Sequence, residues 1–514
     1  MREFRAQVCG IGVIFEDEAE PFGDIVCCET GLGTSGIIDT GLTREKLDSI
    51  ELNHLTHTQK QELKDLLWEF REVFNDRPGT YTGAQHEIKL IEGFQPKFNR
   101  PYRIPDLLKP EVDRQIEELL KEGKIRPSNS QYAHPIVLVS KPDKSIRMCV
   151  DYRYVNSGTM HDGYPMARAD DLLRKIAPNN YITTLDCTSG YYQIQMKPES
   201  IPMTAFITHR GHYEWNCMGF GLRTAGQTFQ RTIDKLLRNH QEYALGYIDD
   251  ISVFSQNWIS HLLHMRKVLT EFRDSGMTLK LKKCHFGHAQ VQFLGHLVGG
   301  GSIMPVPGKI DAIQNMPEPT TKKLLRSFLG MCSYYRNFIP MFAQVAVPLT
   351  ALTQGGKTGR IHFSPREQDA FNALKAALIS TEVLGTPQTD RSFQIQCDAS
   401  EYAVGCCLSQ LNDNGVEQPI AFASAKLTDT QTRWSTLEKE AYAVIYAFKQ
   451  FDHLIFGAHV DVFTDHNPLQ FMIDNGPKSS KLTRWALYLS RYEITIHHKA
   501  GCLNKNADCL SRLI

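Results

Sequence analysis

The sequence predicts an α+β chain of several domains, on three observations. At 514 residues it is too long for one hydrophobic core, and domain-size statistics divide such a length into roughly three or four domains. From about residue 135 to 300, short β-like runs and helical periodicities alternate as they do in an α+β layer. A mainly helical stretch over 301–388 then gives way to a second strand-rich unit that opens at Phe393-Gln-Ile-Gln-Cys-Asp398.

Taken in order, residues 1–54 mix Gly, acids and short apolar patches without sustained periodicity, so they read as an N-terminal leader or linker with little core. Leu63, Leu66, Leu67, Phe70 and Phe74 have helical spacing and stop before the breaker pair Pro78-Gly79. After a Pro-rich extended stretch, Ile116, Leu119, Leu120 and Ile125 mark a second helix that Arg126-Pro127 ends. Pro135–Ser140 and Ile146–Asp151 read as a hairpin around Pro142-Asp143-Lys144. Tyr181–Asp186 and Ala244–Phe254 read as single strands, with helices over about 225–237 and 261–275, and Lys280, Lys282 and Lys283 as a basic strand. Further helices are expected over 322–338 and 365–380, and the break near 388 is the sharpest change of pattern.

Composition excludes several classes. Hydrophobic residues are 42% and charged residues 22% of the chain, which argues for a folded globular protein. Lys plus Arg and Asp plus Glu both number 57, so any positive surface for nucleic acid must be local. The 13 cysteines include no Cys-x-x-Cys, so reduced intracellular thiols are expected rather than zinc ribbons. No apolar run approaches the roughly 18 to 20 residues of a membrane span, and Val8–Phe15 is too short for a signal peptide, so no membrane partner is expected.

Asp186 closes one β run, and Asp249 and Asp250 follow the apolar run of another. Acids converging from neighbouring strand ends suit Mg²⁺, which takes one or two carboxylates plus substrate phosphates and supports phosphoryl transfer as a pair of ions. Side chains alternate along a strand, so adjacent acids cannot simply share a face. Asp186 and Asp249 are therefore the expected ligands, with Asp250 held by the turn and shaping the charge.

Leu185-Asp-Cys-Thr-Ser-Gly-Tyr-Tyr-Gln-Ile194, Phe220-Gly-Leu222, Thr228-Phe-Gln230 and Tyr247-Ile-Asp-Asp250 resemble the reverse transcriptase of gypsy-type (Metaviridae) LTR retrotransposons, a likeness spanning about 55–514. The resemblance implies a right-hand polymerase, with fingers and palm over 55–300 and thumb or connecting helices over 301–388, followed by an α/β ribonuclease H-like domain over 389–514. It implies catalysis at Asp186, Asp249 and Asp250 with two metal ions, Mg²⁺ or alternatively Mn²⁺. Lys141 and Arg147 match residues that hold the incoming triphosphate, as a point charge and a forked guanidinium. Tyr191 matches the aromatic that excludes a 2′-hydroxyl, Phe220 packs near the nucleotide sugar, and Leu294 and Gly295 match a primer-positioning loop. Gly219 and Gly226 stand where the family commonly has Pro, which implies a looser nucleotide pocket.

In the last unit Asp398, Glu440, Asp465 and Asp508 come from four elements, and their order is similar to the two-metal set of the family's ribonuclease H domain. His498 matches that family's His near the scissile phosphate. Glu438 is the rival for the third acid, but two positions along a helix turn it to a different side, and Glu440 fits the register better.

The resemblance implies an RNA-directed and DNA-directed DNA polymerase with ribonuclease H activity. RNA template, DNA primer, RNA–DNA hybrid, deoxynucleotides and other Pol and Gag polyprotein products are its implied partners. The implied location is intracellular: the cytoplasm, a virus-like particle or the nucleus. The competing expectation is a decayed or domesticated copy that only binds nucleic acid or assembles with a partner; survival of all seven acids argues against it. Ile37-Ile-Asp-Thr-Gly41 resembles an aspartic-protease motif but reads as linker, with no room for that fold before the polymerase-like sequence. His261-x-x-His264 with Cys284 and His288 has zinc-like spacing but reads as helix packing. Lys280, Lys282 and Lys283, with the helix of Lys322 and Lys323, are expected on template-primer phosphates. The chain ends without an integrase-type His or Cys module and is expected to be part of a longer polyprotein.

Overall fold

The computed structural model describes residues 25–27, 41–140, 146–356, 359–379, 383–388, 390–464 and 480–498. Lys141, Asp465, Asp508 and the Ile37-Ile-Asp-Thr stretch lie outside them, as does the side chain of His498. The chain divides into two compact units, 1–294 and 295–514. The second therefore holds both the helical stretch after 300 and the strand-rich stretch after 388, between which the sequence shows its sharpest break.

In the first unit, helix α1 (His57–Glu69) starts at a capping box between Thr56 and Gln59 and buries Leu63, Leu66 and Leu67. Helix α2 (Lys109–Lys121) buries Val112, Ile116 and Leu119. It ends earlier than the spacing suggests, because Ile125 belongs to a separate strand, Ile125–Pro127, paired with His212–Trp215. Strands β1 (His134–Ser140) and β2 (Ile146–Asp151) form the expected antiparallel hairpin. Residues 41–54 depart from the expected coreless linker: a short helix, Arg44–Asp48, forms there and Leu42, Leu47 and Leu52 are buried in the first unit's core.

A four-stranded sheet carries the acids of this unit. Its order is β4 (Ala244–Tyr247), β5 (Asp250–Ser255), β3 (Tyr181–Asp186) and β6 (His285–His288). The expected single strand Ala244–Phe254 is thus two strands, folded back on each other at Ile248-Asp249. Helices α3 (Ala225–Leu236) and α4 (Trp258–Ser275) pack against this hairpin, α3 on β4 and α4 on β5. At Gly246 any side chain would collide with Ile233, since an added Cβ would lie 2.4 Å from its Cγ2, so glycine lets α3 lie close on β4. The expected basic strand is instead a 3₁₀ turn, Leu281–Lys283. His261 is buried and bonded to Thr183 Oγ1 at 2.8 Å and Ser255 Oγ at 3.2 Å, while His264 stacks on Tyr243, so both serve packing.

In the second unit, helices α5 (Lys322–Tyr334) and α6 (Pro365–Ile379) realise the expected helical periodicity. Antiparallel strands His296–Gly299, Ser302–Pro305 and Leu384–Gly385, paired in that order, bracket them in sequence. Five strands then form one mixed sheet in the order β9 (Glu417–Lys426), β8 (Ala403–Leu411), β7 (Phe393–Ala399), β10 (His459–Thr464) and β11 (Glu493–His498). The first three are antiparallel, and β10 runs parallel to both β7 and β11. Helix α7 (Thr436–Ile455) covers β7 and β8, burying Val444, Ile445, Phe448 and Ile455, and α8 (Ser480–Leu489) packs on α7.

Candidate active sites

Asp186 ends β3, Asp250 opens β5, and the two are register partners across the antiparallel pair. Partners in register put their side chains on one face. The register therefore sets Asp250 opposite Asp186, next to the Asp249 that the sequence offers with Asp186 as a ligand. Asp249 escapes strand alternation because it lies in the turn, between the paired Tyr247 and Asp250. Ile248, before it, adopts φ 56°, a conformation strained for a β-branched residue by about 1–3 kcal/mol. Two-residue hairpin turns demand such a φ at this position. The buried Gln230 side chain supports the turn: its Oε1 accepts the Ile248 N–H at 2.7 Å, and its Nε2 donates to Gly246 O and Asp234 Oδ1, both at 2.9 Å.

The three acids feel one another. Desolvation first, then the charges of Asp249 and Asp186, lift the Asp250 carboxyl to about 6, with Lys283 pulling the other way. The Lys283 ammonium lies 3.2 Å from Asp186 Oδ2, and the Lys280 N–H donates to the Asp186 carbonyl at 2.9 Å. Among the described residues no three His, Cys, Asp or Glu side chains already stand as a closed metal cage. The donor set nevertheless fits hard divalent cations, since it is carboxylate oxygen throughout and its self-repulsion is the charge such ions neutralise.

Tyr191 sits on the 3₁₀ turn Gly190–Gln193, its ring 4.8 Å from Phe220 and 5.4 Å from Phe229. Burial and then the charge of Asp249 push its phenol upward. Arg147 lies on β2 opposite Val139. Leu294 and Gly295 are consecutive left-handed residues, φ 44° and 72°, the last of one unit and the first of the other. The Gly295 carbonyl accepts the Tyr335 hydroxyl at 3.0 Å.

In the second unit Asp398 lies near the end of β7, paired with Gly405, and Glu440 is buried on α7. Burial, then Cys406, then the charges of Glu440 and Asp398 raise the Cys397 thiol. Strand β10 ends one residue before Asp465, and the backbone of His498 pairs with Thr464. Glu438 is used elsewhere: it completes the capping box with Ser435 and pairs with Lys481 at 2.8 Å.

Sequence reasoning named Gln230 within a motif without giving it a task. A lone amide among Phe229, Ile233 and Leu236 on a helix's apolar face was the available signal. It also left Lys481 and the rings around it unremarked.

Residues 139–298 match the reverse transcriptase (RNA-dependent DNA polymerase) family, and residues 388–492 match the RNase H-like domain found in reverse transcriptase. The Pol polyprotein of the Drosophila melanogaster transposon opus is 39% identical over 470 residues, covering 88% of this chain and 47% of the relative. That of transposon gypsy, from the same organism, is 32% identical over 88% of this chain and 45% of the relative. The chain thus spans less than half the length of these relatives. Among solved structures, a foamy viral protease-reverse transcriptase in complex with double-stranded DNA superposes with TM-score 0.79 at 24% identity, over 91% of this chain and 84% of that one. Another, with an RNA/DNA hybrid, gives 0.75 at 24% identity over 91% and 64%. The fold is that of a reverse transcriptase followed by an RNase H-like domain. With two domain models in the expected order and relatives of one kind along nearly its whole length, the chain belongs to the reverse transcriptase and RNase H-like portion of the retrovirus-related Pol polyproteins of gypsy-type transposons.

Proposed function

We propose that the chain copies RNA, and then DNA, into DNA and cleaves the RNA strand of the resulting hybrid. The observation that carries the polymerase half is the register pairing of Asp186 with Asp250, with Asp249 on the strained turn just before Asp250. Asp186, Asp249 and Asp250 would hold divalent cations, Mg²⁺ or Mn²⁺, which activate a primer 3′-hydroxyl and neutralise the departing pyrophosphate when bound. Tyr191, packed on Phe220 and Phe229, forms a stiff wall that leaves no room for a 2′-hydroxyl and so selects deoxynucleotides. Arg147, with Lys141, receives the triphosphate, and Leu294 and Gly295 position the primer end. The domains divide as fingers and palm over 55–300, thumb over 301–388 and nuclease over 389–514.

For the nuclease, Asp398 and Glu440 supply two of the four acids and Asp465 and Asp508 the others, with His498 near the scissile phosphate. The partners are an RNA template, a DNA primer, the hybrid, deoxynucleotides and other Pol and Gag products, in the cytoplasm, a particle or the nucleus. The deciding experiment extends a DNA primer on an RNA template with Mg²⁺, for wild type and Asp249→Asn, and cleaves a hybrid with wild type and Asp398→Asn. Each substitution is expected to abolish its own activity and spare the other. A wild-type chain inactive in both assays would favour the binding-only alternative.

A further inference from the structure

One feature of the second unit lies outside both sets of acids. Trp434, Tyr442 and Trp485 form a box, with ring centroids 5.4 Å apart for Trp434 and Tyr442, 5.7 Å for Trp434 and Trp485, and 6.0 Å for Tyr442 and Trp485. The Lys481 ammonium lies over two of these rings, 3.7 Å from the centre of Trp434 and 5.6 Å from that of Trp485. Its carboxylate partner is Glu438, at 2.8 Å, and the two side chains are only 24% and 25% exposed. A cation between two indole faces and a carboxylate is held from several directions, with little water to screen it.

The placement of the charge is informative. Lys481 lies on α8. What it grips is the start of α7. Glu438 also caps α7 through Ser435, its carboxyl held low by Lys481 first and then by Ser435. Trp434 precedes the cap, and Tyr442 follows Glu438 by one turn. Glu440 lies between these anchors, buried on another side of the same helical turn.

We propose that Lys481 is a positioning residue for hybrid cleavage: clamped by Glu438, Trp434 and Trp485, it fixes the first two turns of α7 and so the direction of the Glu440 carboxylate. This rests on the nuclease reading above. A carboxylate misdirected by a fraction of an ångström weakens metal capture and the chemical step, and leaves substrate affinity alone. Lys481→Met keeps the apolar stem and loses the charge, whereas Lys481→Arg keeps a cation that can stack on the indoles and reach Glu438.

The test uses the full chain, an RNA–DNA hybrid oligonucleotide and a Mg²⁺ titration followed both by cleavage and by the Mg²⁺-dependent shift in melting temperature, with primer extension by the same preparation as the control for folding. Lys481→Met is expected to lower kcat for cleavage about tenfold and raise the half-saturating Mg²⁺ about fivefold, with KM for the hybrid and primer extension unchanged. Lys481→Arg is expected to restore both. An unchanged Mg²⁺ requirement in Lys481→Met overturns the proposal, as does a rise in KM alone, which would make Lys481 a substrate contact. If Lys481→Met also loses primer extension, Lys481→Arg and Trp434→Phe decide: wild-type Mg²⁺ dependence in both, with a raised requirement in Trp434→Ala, sustains the clamp, and any other pattern removes it. A wild-type chain that cleaves no hybrid overturns the nuclease reading itself, whereas a cleaving wild type with an indifferent Lys481→Met overturns the clamp alone.

Discussion

Replacing Gln230 by Leu should separate stability from activity at the polymerase acids. The amide accepts the Ile248 N–H at 2.7 Å and donates to Gly246 O at 2.9 Å. Leucine fills much of the volume and satisfies neither backbone group; where the released turn opens both groups to water, the loss is roughly 2 kcal/mol at net hydrogen-bond values. That loss has an outlet. Ile248 is strained at φ 56°, and a turn released from Gln230 can relax and recover about 1–3 kcal/mol. The two terms nearly cancel, so the melting temperature should move by only a few degrees. The relaxation, however, moves Asp249 and tilts Asp250 away from Asp186, and misplacement by about 1 Å costs on the order of 100-fold in rate. The assay is single-nucleotide primer extension on RNA beside a thermal melt of the same preparation, with Gln230→Glu, which retains the acceptor, as an intermediate. Extension by Gln230→Leu within about threefold of wild type, in folded protein, would refute the idea that this amide holds the catalytic turn.

Three other outcomes follow from the same structure. The Asp250 carboxyl is raised to about 6, so its contribution to metal-free stability is fully present below the unfolded carboxylate value near 4 and is lost as pH rises through about 6. The melting temperature should therefore fall across that window in wild type and fall less in Asp250→Asn, equal slopes counting against the acidic cluster. An added Cβ at Gly219 would meet only the Trp215 ring, at 3.6 Å, so Gly219→Pro should fold and tighten the nucleotide pocket, seen as a lower KM for deoxynucleotide; an unchanged KM would show that glycine loosens nothing. At Gly405 a Cβ would stand 1.9 Å from Met341 Sδ, so Gly405→Ala should cost about 1–3 kcal/mol by overpacking and depress hybrid cleavage at the neighbouring Asp398, and Met341→Ala should relieve it.

What the sequence made legible follows from how local each signal is. Strand Tyr181–Asp186, helices α3 and α5 and the β1–β2 hairpin announced themselves through period and punctuation, because each buries one face against a neighbour. The misreadings fall where tertiary contacts override the pattern. Ala244–Phe254 looks like one strand because Tyr247-Ile248-Asp249-Asp250 contains no glycine or asparagine to mark a reversal; the turn is held by Gln230, 18 residues earlier in the chain. Likewise Leu42, Leu47 and Leu52 show no periodicity, yet they fill gaps in a core assembled from distant segments. The basic run at Lys280–Lys283 alternates like a strand, but its backbone bonds close locally, Lys283 N–H to Lys280 O and Cys284 N–H to Leu281 O. That turn swings Lys283 onto Asp186.

The paired acids of the two sites show two ways for a chain to use neighbouring carboxylates. Asp249 and Asp250 are adjacent and would diverge on any straight strand. The reversal at Ile248 takes Asp249 out of the alternation and sets Asp250 opposite Asp186, so a hairpin gathers what a strand would scatter. Glu438 and Glu440 are two apart on a helix and diverge by about 200° at 3.6 residues per turn. Here the divergence is kept, and each acid has its own surroundings: Glu438 faces Ser435 and Lys481 at the helix start, while Glu440 is buried near Cys397 and Asp398. The difference predicts opposite tolerances. Glu438→Gln retains a capping side chain and should leave cleavage measurable with an altered Mg²⁺ requirement, whereas Glu440→Gln should abolish it at any Mg²⁺ concentration. Equal loss from both substitutions would mean that the two carboxylates act as one set.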